Sequence, residues 1–389
     1  MQIDFPNFPA IEDMMLQVAL DRFGEHVRSA KNLGPAIVEL SNFYNAPLDE
    51  RGACPHSKYH QAARMLFFTV ADMPKAYAVA AETDTLQALP QKSKLKIFDA
   101  GVGYGAQSLG LLSYLFQADH QRRIQLDVVD RDTDALEALD DILGACQRMQ
   151  IFGDVALNSR RMNLNQSFQS RDRYDIIIMG STLCELRPDA QFQLLANLLS
   201  ALTDSGILCV IEPALKATSR NLHQLRNRML AEQQCRILAP CTHQENCPCL
   251  ENEKDWCHES RQTLLPPRAR QLSITTGLRT QDVKWSYMTL TRARNSAEQD
   301  ADVWRIVSDL MKPKGKQEIF VCGKPGRLRS ILQKRDKSSA NTPFKKLQRG
   351  QRIRFTHTQI HDDFVMLDRE SSVSIEVNPA KCSAGVLRP

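Results

Sequence analysis

The sequence has no run of about eighteen or more apolar residues, the length that a membrane-spanning helix requires. Its first twenty residues contain Asp4, Glu12 and Asp13 but no Lys or Arg. A secretory signal begins with basic residues, and an organellar transit peptide is rich in Arg and poor in acids, so neither fits this segment. The expected location is therefore the cytoplasm. The alternative is the mitochondrial matrix, for a chain whose leader is missing.

Disulfide bonds are not expected, although the chain has eleven cysteines. A reducing compartment disfavours them. Four of the cysteines lie within seventeen residues, and these are Cys241, Cys247, Cys249 and Cys257. Such close spacing in an intracellular chain indicates a metal site rather than a disulfide framework.

The order of apolar runs predicts an α/β fold. Residues 1–92 are predicted to form an N-terminal helical region, because apolar residues recur there at three- and four-residue spacing. From 93 to 295, helical stretches alternate with short apolar runs, which are 95–98, 124–129, 175–179 and 207–211. Continuous apolar strands that alternate with helices predict a parallel sheet covered on both faces.

Residues 301–389 are predicted to form a small, basic, β-rich module, with the polar stretch 293–300 as the linker that precedes it. From Lys312 to Arg354 the sequence has fourteen Lys or Arg and two acids, a net charge of +12. The rest of the chain is then net −7, because the total is +5. A concentrated basic segment with interleaved apolar residues favours contact with nucleic-acid phosphates, and the alternative is a solvated surface segment.

A glycine-rich turn marks the candidate cofactor site. It lies in the segment Asp-Ala-Gly-Val-Gly-Tyr-Gly, where Asp99 precedes Gly101, Gly103 and Gly105, between a predicted strand and a predicted helix. The spacing D-x-G-x-G-x-G differs from the dinucleotide fingerprint G-x-G-x-x-G and is typical of S-adenosylmethionine-dependent methyltransferases. Asp130, at the end of the next strand, is predicted to bond the ribose hydroxyls. The alternative is that both acids only cap strand ends.

The third predicted strand of this region ends at Gly180 and Ser181, which are candidate pocket residues because ligands of open α/β sheets lie at the carboxyl ends of strands. The segment lacks the Asn or Asp followed by Pro-Pro-Tyr or Pro-Pro-Phe that many amino-methylating enzymes use. Glu185 is a weak candidate for a general base, so the catalytic residues stay unknown. The sequence thus supports cofactor binding more strongly than catalysis.

The cysteine-rich segment 239–262 is predicted to be a metal loop. Thiolates bind zinc and iron–sulfur clusters, and a bound metal would order a loop that has few apolar residues. The spacing is not that of paired C-x-x-C knuckles, and a further thiolate could come from Cys322 at the start of the basic module. Spacing alone leaves zinc, an iron–sulfur cluster and unliganded thiols open.

These segments together resemble the family of methyltransferase-like assembly factors of the mitochondrial small ribosomal subunit and their bacterial homologues. The resemblance extends over about residues 58–330. Its segments are Ile211-Glu212-Pro213, the Ala-Pro-Cys-x-His-x-x-x-Cys-Pro run that begins at Ala239, Asp255-Trp256-Cys257-His258 and Lys284-Trp285-Ser286-Tyr287.

The resemblance implies a Rossmann-like methyltransferase fold, S-adenosylmethionine binding and a 4Fe–4S cluster held by Cys241, Cys247, Cys257 and Cys322. Cys249 stands where the family has a non-ligand. The family also implies binding to small-subunit ribosomal RNA, with roles in ribosome assembly and translation. Two functions follow as expectations: an assembly factor that uses the cofactor site and cluster as a scaffold, or an active methyltransferase of ribosomal RNA or a ribosomal protein.

Overall fold

Helices form the N-terminal region in the computed structural model, which describes residues 2–47, 50–166, 168–278, 282–292 and 302–378. They are α1 (Phe8–Phe23), α2 (Ala30–Asn45), α3 (Lys58–Ala63) and α4 (Val70–Thr85). A π-helical turn, Arg64–Thr69, joins α3 to α4 without a break. Pro74 lies inside α4 and lacks the N–H that a regular helix would use there, so it follows the widened turn instead of starting a helix.

A mixed β-sheet with interspersed helices follows. Its strands are β1 (Gln2–Ile3), β2 (Lys94–Ala100), β3 (Arg123–Asp130), β4 (Asp154–Arg161), β5 (Tyr174–Gly180), β6 (Leu202–Pro213), β7 (Arg236–Ala239), β8 (Glu259–Thr263) and β9 (Asp282–Thr291). The helices are α5 (Ala106–Ala118), α6 (Thr133–Arg148), α7 (Pro188–Ser200), α8 (Lys216–Ala231) and α9 (Pro267–Thr276). All four apolar runs that predicted strands lie within β2, β3, β5 and β6, which confirms those predictions.

The sheet is covered on both faces, as its continuous apolar strands predict. One hydrophobic core joins Ile97 of β2 to residues of α4, α5 and α6. The other joins its neighbour Phe98 to residues of α7 and α8. Because successive strand residues point to opposite faces, a strand that is buried on both sides needs an apolar residue at every position.

The strand order is β1-β8-β9-β6-β5-β2-β3-β4. Strands β2 to β6 are parallel to one another, and β9 runs antiparallel to β6. The order reverses at β2, which lies between β3 and β5. In an open α/β sheet such a switch point leaves a crevice outside the carboxyl ends of the strands, where ligands bind.

The cysteine-rich segment is an insertion at the edge of this sheet. Both β7 and β8 pair antiparallel with β9, β7 along its second half and β8 along its first. The two short strands therefore share one edge position, and residues 240–258 leave the sheet between them. Strand pairing anchors the segment at both ends.

A second sheet forms the C-terminal module. Its strands are β10 (Val303–Ile306), β11 (Lys316–Gly323), β12 (Gly326–Gln333), β13 (Arg352–Thr356), β14 (Gln359–Ile360), β15 (Phe364–Leu367) and β16 (Ser372–Val377). They pair in the order β14-β15-β12-β11-β10-β13-β16 around a separate core that includes Trp304, Val321 and Phe344. The linker predicted at 293–300 lies outside the described residues.

A buried ion cluster joins the two sheets. Arg305 of β10 pairs with Glu82 of α4 and, at 2.6 Å, with Glu259 of β8. Arg261 lies 3.1 Å from Glu82, and the hydroxyl of Tyr287 donates to the same carboxylate at 2.7 Å. All five side chains are buried. The C-terminal module is thus attached to the main sheet by paired charges that water does not reach.

Candidate functional site

A cavity of about 640 Å³ lies at the carboxyl ends of β2, β3 and β5, at the switch point of the sheet. Five of the residues predicted from the sequence line it, and these are Gly101, Gly103, Asp130, Gly180 and Ser181. The other two predicted residues, Asp99 and Gly105, are not among the described residues that line the cavity. The structure therefore brings most of the predicted cofactor residues together around one cavity.

Two positions in the turn after β2 require glycine, each for a different physical reason. Gly101 has φ +81, and a Cβ there would lie 2.4 Å from Oγ1 of Thr182 in the neighbouring loop. Gly105 has φ +90, and a Cβ there would lie 2.4 Å from a methyl carbon of Leu139. Gly101 thus keeps the cavity floor open, whereas Gly105 allows α5 and α6 to pack closely.

The two predicted acids have different surroundings. Asp99 is fully buried, and its Oδ2 accepts a hydrogen bond from the Ser108 hydroxyl at 2.6 Å. Burial raises the pKa of Asp99 to about 7. Its other oxygen, Oδ1, is buried without a hydrogen-bond partner among the described residues, and the role of Asp99 at the cofactor site stays a prediction.

Asp130 shapes the turn and also faces the cavity. Its Oδ2 accepts the N–H of Gly103 at 2.8 Å, and its Oδ1 accepts the N–H of Asp132 at 2.9 Å. Each carboxylate oxygen has a second lone pair. Asp130 can thus accept hydroxyl groups of a ligand while it holds the glycine turn.

Glu212, which the sequence singled out only by resemblance, holds the loop after β5. Its buried carboxylate accepts the N–H groups of Thr182 and Leu183 at 3.0 Å and of Cys184 at 3.1 Å. Burial raises the pKa of Glu212 to about 7, although these hydrogen bonds oppose the rise. The loop that faces the glycine turn is therefore rigid, which keeps Thr182 against Gly101.

Glu185 lies on the rim of the cavity and forms an ion pair with Arg131 at 3.4 Å. Its side chain is 39% exposed. Burial nevertheless raises the pKa of Glu185, with Arg131 opposing the rise. A role for Glu185 as a general base therefore stays a prediction.

The opposite wall comes from the N-terminal helices, which sequence reasoning did not connect with the site. Tyr44 of α2, Cys54, and Arg64 and Phe68 of the π-helical turn line the cavity. Phe68 packs edge-on against Tyr44, with ring centroids 5.4 Å apart. Widened helical turns occur frequently at functional sites, and here the turn adds an aromatic wall. No sequence pattern distinguished these residues from ordinary core positions.

The structure brings the predicted cysteines together. Cys322 of β11 lies beside the cysteine-rich loop: its Sγ is 3.6 Å from Nε2 of His243, and its carbonyl accepts the Thr242 hydroxyl at 3.4 Å. The thiols of Cys241, Cys247 and Cys257 are close enough to Cys322 to raise its pKa, in addition to the larger effect of burial.

Cys249 occupies a distinct position among these thiols. It hydrogen-bonds to both Cys247 and Cys257, which lowers the pKa of each of those thiols and raises the pKa of Cys249 itself. Cys249 thus lies between Cys247 and Cys257, in contact with two of the ligands that the resemblance implies.

Two arginines of α8, which the sequence did not single out, organise the loop. Arg220 donates to the carbonyl oxygens of Cys249, Asn252 and Asp255 at 2.8 to 3.0 Å. Arg226 is buried and donates to the carbonyl oxygens of His243 and Glu245. Its guanidinium lies near the thiols of Cys241, Cys247 and Cys322, where it can balance the charge of thiolates.

Over the described ranges, no group of three or more His, Cys, Asp or Glu side chains has the arrangement that a metal ion requires. The predicted metal loop is therefore a convergence of thiols rather than a demonstrated metal site. In the same part of the chain, no helix combines the length and apolar character needed to span a membrane.

Comparison with known proteins gives one family. The family model described as mitochondrial small ribosomal subunit Rsm22 matches residues 62–354 of the 389. Among individually curated proteins, none matches this sequence.

Similar solved structures are methyltransferases. One is an S-adenosylmethionine-dependent methyltransferase from Leishmania major, 12% identical over 67% of this chain and 83% of that one, with a TM-score of 0.37. Another is magnesium protoporphyrin IX methyltransferase from Synechocystis, 12% identical over 66% and 99%, with a TM-score of 0.35. The CcbJ methyltransferase from Streptomyces caelestis is 18% identical over 36% and 49%, with a TM-score of 0.27. The chain thus spans less than half of that last enzyme, and at TM-scores this low the likeness decides nothing.

Proposed function

Because the chain belongs to the family of the mitochondrial small ribosomal subunit Rsm22, we propose that it binds S-adenosylmethionine and acts on the small ribosomal subunit as an assembly or translation factor. The observation that carries the cofactor proposal is the glycine turn at the switch point of the sheet, open to a cavity of about 640 Å³. The antiparallel strand β9 beside β6 supports a methyltransferase-like sheet, since a dinucleotide-binding sheet continues with parallel strands.

The residues around the cavity fit this cofactor. The open floor at Gly101 and Gly103 lets a ligand approach the backbone, and Asp130 offers acceptors for ribose hydroxyls. Gly180 admits the Gln107 side chain, since a Cβ at residue 180 would lie 2.4 Å from its Cγ. Bound S-adenosylmethionine supplies an activated methyl group, and the chain's own residues bind and orient it.

Replacing Gly101 with alanine is expected to weaken S-adenosylmethionine binding at least 10-fold. The new Cβ would meet Thr182, which the Glu212 carboxylate holds in place, and φ +81 is unfavourable for alanine. Isothermal titration calorimetry measures the change. Gly277→Ala is the matched control, because Gly277 has φ +68 with open space around its Cβ. Equal affinity of the Gly101 variant and the wild type would remove the cofactor site from this cavity.

We also propose a 4Fe–4S cluster at the convergent thiols, held by Cys241, Cys247, Cys257 and Cys322, with a single zinc as the alternative. The donor set supports it: Cys247 is buried, the other three thiols are partly buried, and the Arg226 guanidinium lies beside three of the four. Iron–sulfur clusters take Cys thiolates as ligands. The cluster would join the loop to β11 and so hold the C-terminal module.

The basic module supports a ribosomal RNA partner. Of its fourteen Lys and Arg, Arg352 is buried close to the ion cluster, whereas nine are exposed: Lys312, Lys314, Lys324, Arg329, Lys334, Arg335, Lys337, Lys345 and Lys346. Exposed cations in one small module, most of them in its loops and turns, offer contacts for the phosphates of a nucleic acid.

Replacing Lys334, Lys345 and Lys346 with glutamine is expected to weaken binding to naked small-subunit RNA and to reduce the slope of log K against log salt by about 2, because each lost phosphate contact removes about 0.7 to 0.9. The slope is measured by filter binding over a salt series. The control replaces Lys31, Lys58 and Lys94, which are exposed outside the module. An unchanged slope in the module variant would contradict this RNA surface.

A second function, methyl transfer to ribosomal RNA or a ribosomal protein, is favoured by the second wall of the cavity. The aromatic side chains of Tyr44 and Phe68 face the cavity opposite the glycine turn, so the space between the walls could receive a planar acceptor. Transfer of a labelled methyl group to small subunits from a strain that lacks the protein decides between this enzyme and the scaffold.

A further inference from the structure

One tryptophan of the cysteine-rich loop has no role in the site described above. The chain has three tryptophans. Trp285 and Trp304 are 0% and 4% exposed and belong to the cores of the two sheets, whereas Trp256 is 38% exposed. Trp256 therefore differs from the other two tryptophans in presenting ring surface to solvent.

Two contacts hold the Trp256 ring in place. Its Nε1–H donates to the carbonyl oxygen of Ala214 at 3.1 Å. Its face stacks on the imidazole of His258, with ring centroids 5.9 Å apart and planes inclined by 24°. Because one face and the polar edge are engaged, the exposed area belongs to the remaining surface of a ring that is already oriented. A pre-oriented aromatic ring loses little entropy when a second ring stacks on it.

Three arginines bind the residues on either side of Trp256 in the loop. The carboxylate of Asp255, the adjacent residue, is bound by Arg327 of the basic module at 2.7 Å, and its carbonyl is bound by Arg220. Arg349 donates to the carbonyl of His258 at 3.1 Å. The acid nearest to Trp256 in the sequence is therefore neutralised, and three guanidiniums lie around the loop that presents the indole.

The ring also lies between the two sites. Ala214, which accepts its hydrogen bond, lines the cavity at the carboxyl end of β6. On the other side, Trp256 is followed in the chain by Cys257, one of the convergent thiols. Arg327, which binds the preceding residue Asp255, belongs to β12 of the basic module. Trp256 is therefore linked by direct contacts both to the rim of the cavity and to the basic module.

We infer that Trp256, stacked on His258, is a platform for one unpaired nucleobase of an RNA strand whose phosphates lie on the basic module. This rests on the proposed RNA function and adds a specific contact to it. The neighbouring basic module favours RNA over a protein partner, because Arg327 of β12 binds the residue before Trp256 and so places the ring beside the exposed cations of that module. Stacking on an aromatic side chain is independent of base identity, since every base has a π-face.

The test measures the affinity of the full chain, purified without oxygen, for a fluorescein-labelled single-stranded oligoribonucleotide by anisotropy over a salt series. Trp256→Ala is expected to weaken binding about 10-fold at every salt concentration, with the slope of log K against log salt unchanged, because stacking releases no counterions. Trp256→Phe, which keeps a ring, should recover most of the affinity. Ile274→Ala is the control, since Ile274 is an exposed apolar residue (77%) on α9.

A second measurement guards against a loop that simply loses order in the alanine variant. An oligoribonucleotide with 4-thiouridine at successive positions is crosslinked to the wild-type chain, and the crosslinked peptide is expected to contain residue 256. Binding with wild-type affinity in Trp256→Ala, or crosslinks only to other peptides, would overturn the platform while leaving the RNA function standing. If no RNA binds even at low salt, the proposed function fails as well. If ribosomal proteins, and not RNA, cover the Trp256 ring, the residue belongs to a protein interface instead.

Discussion

Changing Glu82 to glutamine is expected to lower the free energy of unfolding by about 3–5 kcal/mol, because it leaves buried guanidiniums without a partner charge. The Glu82 carboxylate pairs with Arg305 and Arg261 and accepts the Tyr287 hydroxyl, and its side chain is 0% exposed. An amide offers one acceptor and no charge in the same space. Among the described residues, the carboxylate left to Arg305 would be Glu259, which it already shares with Arg261.

Urea unfolding monitored by circular dichroism gives this free energy. The matched control is Glu137→Gln, because Glu137 pairs with Arg22 at 3.6 Å but its side chain is 62% exposed. Exposed pairs contribute little, so the control should unfold at the wild-type urea concentration. If both variants unfold alike, the ion cluster does not stabilise the junction between the sheets.

Low pH is expected to destabilise the folded chain through the same Glu82 carboxylate. Burial opposes its ionisation, but the charges of Arg305 and Arg261 outweigh burial and lower the pKa of Glu82 to about 2 from an ordinary value of 4.5. A group whose pKa is lower in the folded state stabilises that state above its unfolded pKa and loses this contribution as the pH falls toward the folded pKa. Between about pH 4.5 and 2, the wild type should therefore lose stability more steeply than Glu82→Gln.

Changing Cys322 to serine is expected to remove most of the iron and sulfide from protein purified without oxygen, from about four of each per chain. It should also raise hydrogen exchange in β11, because the strand loses its bond to the loop. Cys322 is the thiol that comes from the C-terminal module, whereas the other proposed ligands belong to the loop. Iron and acid-labile sulfide assays measure the first effect, and exchange mass spectrometry measures the second.

The control for this variant is Cys249→Ser. Cys249 lies between Cys247 and Cys257 as a hydrogen-bond donor, a role that a serine hydroxyl can also fill. This variant should keep its iron. Iron loss in Cys249→Ser with retention in Cys322→Ser would reverse the ligand assignment, and one zinc per wild-type chain would replace the cluster.

Sequence patterns were sufficient for the four central strands, β2, β3, β5 and β6, because their information is local. The predicted parallel sheet is in fact mixed, because β9 pairs antiparallel with β6, and β7 and β8 pair antiparallel with β9. Apolar runs such as 95–98 and 175–179 are strands since both faces of the sheet are covered. Within the predicted β-rich module 301–389, the apolar segments 318–322, 352–358 and 364–368 overlap β11, β13 and β15. Strands β10, β12 and β16 were missed because polar residues interrupt their apolar positions.

The site was less predictable because much of it depends on contacts between distant residues. Gly101, Gly103 and Asp130 could be found from one motif and its following strand. Resemblance to a family, rather than spacing, connected Cys322 with the loop. Arg226 and the aromatic wall of the cavity had no signal, since a buried arginine and a core phenylalanine follow the same helical periodicity as their structural neighbours.

The ion cluster also bears on how the chain folds as it is synthesised. Glu82 and Glu259 leave the ribosome before Arg305, and until then Arg261 is the guanidinium of the cluster that has emerged. The main sheet can assemble around these acids only by burying surplus negative charge or by leaving that region open to water. Synthesis from the N-terminus therefore delays closure of this junction until β10 has been made. A nascent chain that is stalled before β10 should remain sensitive to protease in the region that β10 later covers.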